Sequence, residues 1–326
     1  MGAKVRGHGV RVRRFRPEDQ PEVFALLADT FGKSIDPARF RRISHSNPDG
    51  PAIRYVAEAE GHVVAYRGFL PGLLRVGGRE YRALQGSQAA TVPAYRGRGL
   101  FTALGGEVIG AYFEAGGDLV YSFPSPQAFA ASTGRLKFEL AGRRRHWVRP
   151  LRPWAIRHGF AARVGTWMHG RSLRSPSGIT SSPADADRWA TLRHVGTGFA
   201  CTSEKILWHL NAFGRRYREL AWGEGALLLG EARRKGLRAA TVVASDCCDA
   251  RETVQLLRGA AEIAASEGYD LLFSWPIASP VTMLRGGMVP LGSSTPFIVR
   301  TRESDLAQRI RRERVHWVRL LDTDAY

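Results

Sequence analysis

Residues 91–104 read TVPAYRGRGLFTAL, with two glycines and two arginines wedged between a β-type run and an apolar helical run. A helix N-terminus carries unsatisfied backbone N–H groups and a partial positive charge. Glycines clear side chains from the approach, so that an anion reaches the backbone. Arg96 and Arg98 add charge beside it. Strand, glycine-bearing loop and helix together predict a cradle for a pyrophosphate. Two glycines before a helix also serve ordinary turns and caps, so the flanking elements have to decide.

Upstream, residues 10–15 read as a strand. Residues 17–32 read as a helix, with Val23, Leu26, Leu27 and Phe31 on one side. Residues 52–70 form two β-runs around Glu60-Gly61, and a second hairpin turns at Gly77-Gly78. Downstream, a helix to about Ala115 leads into the short apolar strand DLVYSFP at 118–124. The order is β-α-β-β-β-loop-α-β.

This order is written twice. AATV at 89–92 and DLVYSFP at 118–124 are answered by AATV at 239–242 and DLLFSWP at 270–276, with an apolar helical run between the landmarks each time. Hairpin signals at Glu224-Gly225 and Lys235-Gly236 precede the second set, so an internal duplication is expected. Where the first copy has PAYRGRGLF, the second has VASDCCDARETV: glycines and arginines give way to aspartates. Only the first copy is expected to bind an anion. Ile156, Phe160, Val164 and Trp167 recur at helical spacing in the basic segment between the copies, which predicts an amphipathic helix. The expected organisation is an anion-binding domain over 8–150, a basic linker over 151–185 and a degenerate copy over 186–326.

The stretch resembles the cofactor loop of the GNAT superfamily of N-acetyltransferases, whose pattern is Gln/Arg-x-x-Gly-x-Gly/Ala after a strand ending in Val-x-Pro. Arg96, Gly97, Arg98, Gly99, Leu100 and Phe101 fill it behind Val92 and Pro93. Phe101 departs from the small final residue, which implies a different approach of the helix to the phosphates. The resemblance implies an α/β (α+β) GNAT fold, with a mixed central sheet flanked by helices, in two tandem copies. It implies that the loop amides hold the pyrophosphate of acetyl-CoA or another acyl-CoA as co-substrate, with the strand ending at Val92 along the pantetheine arm. GRLKFELAG, residues 134–142, resembles the family's closing Leu-Gly-Phe segment. The whole chain is similar to two-domain GNAT proteins, with Trp317 and RLLDTDAY resembling their closing Trp and Asp-x-Asp.

Acyl transfer from a thioester needs a deprotonated amine, a donor for the thioester oxygen and a proton for the leaving thiolate. The slot of the family's acidic tyrosine, counted back from Phe138, holds Thr133, a weaker acid. Tyr121 and Ser122 are substitutes at the strand end, and a packing role for Tyr121 competes. Gln85 and Ser87 stand where other members keep a glutamate. Glu58 and Glu60 flank a hairpin turn and read as solvated. His146 and Trp147 read equally as acceptor-cleft and surface residues. Asp322, Asp324 and the Tyr326 carboxylate are candidates for the base, against the reading of an acidic tail.

The composition sets further bounds. The chain has 326 residues, 44% hydrophobic and 24% charged, and no apolar stretch of membrane-spanning length. No signal peptide or myristoylation pattern opens it. Three cysteines, with Cys247 and Cys248 adjacent, make a poor disulfide framework and lack metal-ligand spacing. A cytoplasmic protein without a metal is the expectation. Net charge is +18, and residues 119–184 hold eleven Lys and Arg against Glu139 alone. Such a field favours an anionic partner, while arginine-rich coding explains it equally.

The leading reading is an acyl-CoA-dependent N-acyltransferase acting on a small or sugar-like amine. An aminoacyl-tRNA-dependent transferase of the FemAB type, favoured by charge and duplication, is one rival. A non-catalytic CoA- or anion-binding protein is the other.

Overall fold

The computed structural model describes residues 9–152, 177–190, 198–200, 202–212, 216–234 and 236–312. The chain forms two compact units. The first comprises residues 1–142, 199–201 and 296–315; the second comprises 143–198, 202–295 and 316–326.

In the first unit, β1 (Val10–Arg14) pairs with β2 (Ile53–Ala59), which pairs with β3 (His62–Val76), which pairs with β4 (Arg79–Thr91), all antiparallel. The hairpins form where expected. Glu60 and Gly61 have φ of 52° and 83°, and Gly77 and Gly78 have 57° and 77°. Paired positive φ values match the twist of the flanking strands. β4 then runs parallel to β5 (Leu119–Ser122). The strand beside β5 is not the next in sequence. It is the end of β13 (Val289–Thr301), antiparallel, with Ile298 opposite Ser122.

α1 (Gln20–Phe31) and α2 (Pro37–His45) cover one face of this sheet through Val23, Leu26, Leu27 and Phe40, packed on Val56, Tyr66 and Ala90. Phe31 departs from the expected apolar stripe: it is 46% exposed, because Gly32 ends the helix in a left-handed turn beside it. α3 (Leu100–Glu114) covers the other face, where Val108, Ile109 and Tyr112 meet Phe69, Leu84 and Val120. Each such buried aliphatic or aromatic side chain contributes about 1.5–3 kcal/mol. α4 (Pro126–Gly134), capped by Ser125, follows β5. α9 (Ser304–Arg312) buries Leu306, Ala307 and Ile310.

In the second unit the strand order is β13, β6 (Glu139–Pro150), β12 (Leu271–Ser274), β11 (Leu237–Asp246), β10 (Gly225–Arg234), β9 (Tyr217–Trp222) and β7 (Thr180–Pro183). α7 (Ala250–Ser266) packs Leu256, Leu257, Ala260 and Ala264 onto Leu227, Leu229, Ala240 and Leu272. Short helices α5 (Ala186–Ala190), α6 (Ser203–Ala212) and α8 (Pro280–Arg285) complete it; β8 (Gly198–Ala200), whose last two residues belong to the first unit, pairs with β3 there. The turn expected at Glu224-Gly225 falls one residue earlier, where Gly223 takes φ 62°.

The units share a motif. Ala83–Gly86 runs parallel to Leu119–Ser122, and Ala239–Val242 runs parallel to Leu271–Ser274. The Arg82 amide donates to the Asp118 carboxylate at 2.7 Å, and the Arg238 amide to Asp270 at 2.8 Å. Ala239 therefore corresponds to Ala83, and the AATV match to residue 89 is out of register. Past these alanines β4 runs on to Thr91 and β11 to Asp246, nearly equal lengths. β6 and β13 each begin in one unit and end in the other. Residues 153–176, with the expected linker helix, lie outside the described residues.

Candidate active site

Past β4, the Val92 amide donates to the Val64 carbonyl, and a single 3-10 turn over Pro93–Tyr95 delivers the chain to Arg96. Gly97 and Gly99 both take φ 77°. Gly99 is the N-cap of α3, and no side chain caps that helix. Its carbonyl accepts from Thr102 and Ala103, so the helix begins here and its first amides face outward.

The basic residues around the loop divide their work. Arg96 Nε donates to the Thr91 carbonyl at 3.1 Å and lines a groove of about 390 Å³ with Glu22, Asp29, His62, Val92 and Pro93. Arg98 lies 4.7 Å over the Tyr95 ring. Arg135, which follows α4, brings its Nη1 to 3.5 Å from the point where a Cβ on Gly99 would stand. Sequence reasoning missed Arg135, because its place beside the loop depends on the packing of α4. Leu100 is buried in the core.

Phe101 turns inward. Its ring packs on the core, and the Arg67 guanidinium stands 3.9 Å over it while donating to the Phe101 carbonyl at 2.8 Å. The Phe101 departure from a small residue therefore leaves the backbone approach clear. Arg67 is 4% exposed, and burial pushes it down to about 9. Gly105 makes room for it, since a Cβ there would lie 1.9 Å from Arg67 Nη1.

Gly86 opposite Ser122 is the last β4–β5 pair. Beyond it, Arg67 pairs with Ala89 and Phe69 with Gly86, so Ser87 and Gln88 bulge opposite Gly68. Ser87 Oγ donates to the Gly68 carbonyl. The candidate proton donors are held nearby but are bonded to the protein. Tyr121 is 3% exposed and its hydroxyl donates to Gln85 Oε1 at 3.2 Å. Ser122 Oγ donates to the Gly86 carbonyl at 3.3 Å, and Thr133 Oγ1 donates to Phe129 in its own helix at 3.0 Å. Thr133 is thereby turned back onto α4. Glu58 is paired with Arg13 at 2.6 Å. His146 is clamped between Ser293 and Thr295, and burial, helped by Arg234, pushes it down to about 4. Asp322 and Asp324 lie outside the described residues.

The equivalent place in the second unit is occupied by the chain itself. Asp249 accepts from the Glu252 amide at the start of α7, and Glu252 accepts from the Cys248 amide at 2.8 Å. The Glu252 carboxylate fills the space over Gly225, where a Cβ would lie 2.8 Å from it. Cys247 is held up at about 12 by burial. Among the described residues no group of His, Cys, Asp and Glu has metal-site geometry, and no helix is long and apolar enough to cross a membrane.

Residues 11–139 match the family model of the acetyltransferase (GNAT) domain. No curated protein matches the chain by sequence. Among solved structures, the chain is similar to a probable N-acyltransferase of Enterococcus faecalis V583, with TM-score 0.62 and 15% identity over 90% of this chain and 72% of that one. It is similar to a GCN5-related N-acetyltransferase of Anabaena variabilis, with TM-score 0.62 and 13% identity over the same shares. It is also similar to Eis1 of Mycobacterium abscessus, with TM-score 0.59 and 12% identity over 93% and 76%. At such identities the likeness speaks for the fold. The family match covers residues 11–139, the part of the first unit that carries the glycine loop, and that segment is a GNAT acetyltransferase domain.

Proposed function

We propose that this protein is an acyl-CoA-dependent N-acyltransferase, using acetyl-CoA by preference and a small amine as acceptor. The observation that carries the reading is the uncapped N-terminus of α3. Two left-handed glycines precede it, and Arg98 and Arg135 stand beside it. The residues fit a pyrophosphate. The amides of residues 99–101 are donors, the helix end is positive, and no side chain covers it. The second unit supports the reading by contrast, since Asp249 and Glu252 there satisfy the amides that a pyrophosphate would take.

Acyl-CoA, when bound, supplies a thioester. Its C–S bond is replaced by a C–N bond to the acceptor, and the amine's proton ends on the released thiol. The chain's own part is to hold and to orient. Gly99, Leu100 and Phe101 offer amides to the phosphates. β4 beyond Gly86, no longer paired to β5, leaves backbone groups free to align an extended arm. The Gln85–Tyr121 pair fixes the floor of this opening with a buried hydrogen bond. The reading places the enzyme in the cytoplasm, where acyl-CoA and reduced thiols occur together.

The test is calorimetry with CoA and acetyl-CoA, followed by release of free thiol with a panel of amines. Micromolar binding with amine-dependent thiol release is expected. Binding without release on any amine would leave a cofactor-binding protein. No binding would remove the cradle.

A further inference from the structure

On the α1–α2 face of the first unit, two hydrogen-bond donors share one spot and take no acceptor. A Cβ on Gly68 would stand 2.8 Å from the Tyr66 hydroxyl oxygen and 3.4 Å from Ser87 Oγ, so Gly68 lets the tyrosine hydroxyl settle on the strand beside the β4 bulge. Tyr66 is 2% exposed, and its hydroxyl donates to no described residue. The Tyr66 oxygen is not among the fully enclosed unpartnered atoms, so solvent, and hence a ligand, reaches it. Arg54 lies opposite Gly68 in the β2–β3 register. Its guanidinium rests 4.4 Å over Phe15 and 5.0 Å over Phe40, and no carboxylate among the described residues pairs with it.

Each group acts on the other's titration. Burial lowers Arg54 and raises Tyr66, so the tyrosine stays protonated and remains a donor. The Ser87 proton is already committed to the Gly68 carbonyl. A half-buried cation and a phenol without acceptors, on aromatic walls, are complementary to a planar anion. The spot adjoins Ser87, the first β4 residue beyond the last β4–β5 pair.

We infer that Arg54 and Tyr66 form the carboxylate-binding half of the acceptor site, so that the acceptor is an amine that also bears a carboxylate, an amino acid or a close relative. The inference rests on the acyltransferase reading for its chemistry, but its binding test stands apart from that reading. Arg54 and Tyr66 are specificity residues here, and Ser87 marks where the amine end points.

The experiment uses the full chain, with and without CoA. Its probes are the proteinogenic amino acids and, for each, the amine left by decarboxylation. Binding is measured by calorimetry, and acetyl transfer by thiol release. At least one amino acid is expected to bind, with its decarboxylated partner weaker by on the order of 10- to 100-fold. Arg54→Gln and Tyr66→Phe should each erase that preference while leaving the affinity for CoA unchanged. Gly68→Ala, which drives a methyl into the tyrosine hydroxyl, should weaken the amino acid, and Gly68→Ala with Tyr66→Phe should regain packing but not affinity. Preference for the decarboxylated amines overturns the inference. So does equal loss of both partners in Arg54→Gln, or binding of no member of the panel. Amino-acid binding that depends on Arg54, without acetyl transfer, keeps the site and removes the acyltransferase reading instead.

Discussion

Replacing Gly99 by glutamate tests the cradle through chemistry the chain already uses in its second unit. Gly99 holds φ 77° as the N-cap of α3, a conformation that costs any L-side chain about 1–2 kcal/mol. A Cβ there meets Arg135 Nη1 at 3.5 Å, an ordinary contact, so size alone does not forbid the change. A carboxylate at the helix N-terminus returns about 0.3–1 kcal/mol. The net loss is about 1 kcal/mol, which lowers the melting temperature by roughly 2–4 °C. Binding suffers far more. The new carboxylate takes the amides that the phosphates need, as Glu252 takes the Cys248 amide. Loss of two charge-assisted hydrogen bonds, at about 1.5–3 kcal/mol each, weakens CoA by on the order of 10²-fold or more. Gly99→Ala carries the strain without the charge and should lose less than about tenfold. Calorimetry with CoA reads the binding, and a thermal melt reads the fold. A folded Gly99→Glu protein that binds CoA as the wild type does would refute the cradle.

Titration with CoA should give one site per chain, because Asp249 and Glu252 fill the second unit's helix end; two equivalent sites would show that they yield. Gly105→Ala should destabilise the protein by about 1–3 kcal/mol in urea unfolding, since its methyl lands 1.9 Å from the buried Arg67; Arg67→Met should relieve that loss in the double variant. His146 has a folded value of about 4, below its ordinary 6.5, so the unfolded chain takes up the proton first as pH falls. Stability should therefore drop by about 1–2 kcal/mol between pH 6.5 and 4, allowing for solvent screening at a half-buried ring, and His146→Gln should flatten that slope. An unchanged slope in that variant would assign the acid loss to other groups.

The amino-acid sequence by itself determined what nearest neighbours along the chain decide. The turns at Glu60-Gly61 and Gly77-Gly78 were legible because positive φ is a local demand that glycine meets. α3 was legible from its apolar spacing, and its uncapped start from the glycines placed just before it. A strand pair common to both units was legible as well, though in the wrong register: short matched words such as AATV carry no record of which strand they pair with. Tertiary structure alone decided the rest. That β13 closes the first unit beside β5, and that β6 ends in the second, follows from pairings between residues far apart in the chain. The same holds for Arg135 beside Gly99, Arg67 under Phe101, and Tyr66 and Arg54 around Gly68. Each is an ordinary arginine or tyrosine until packing removes water from it or brings it to a helix end. Burial and long-range proximity, which set the chemistry of these groups, arise only when the sheet and its helices have closed.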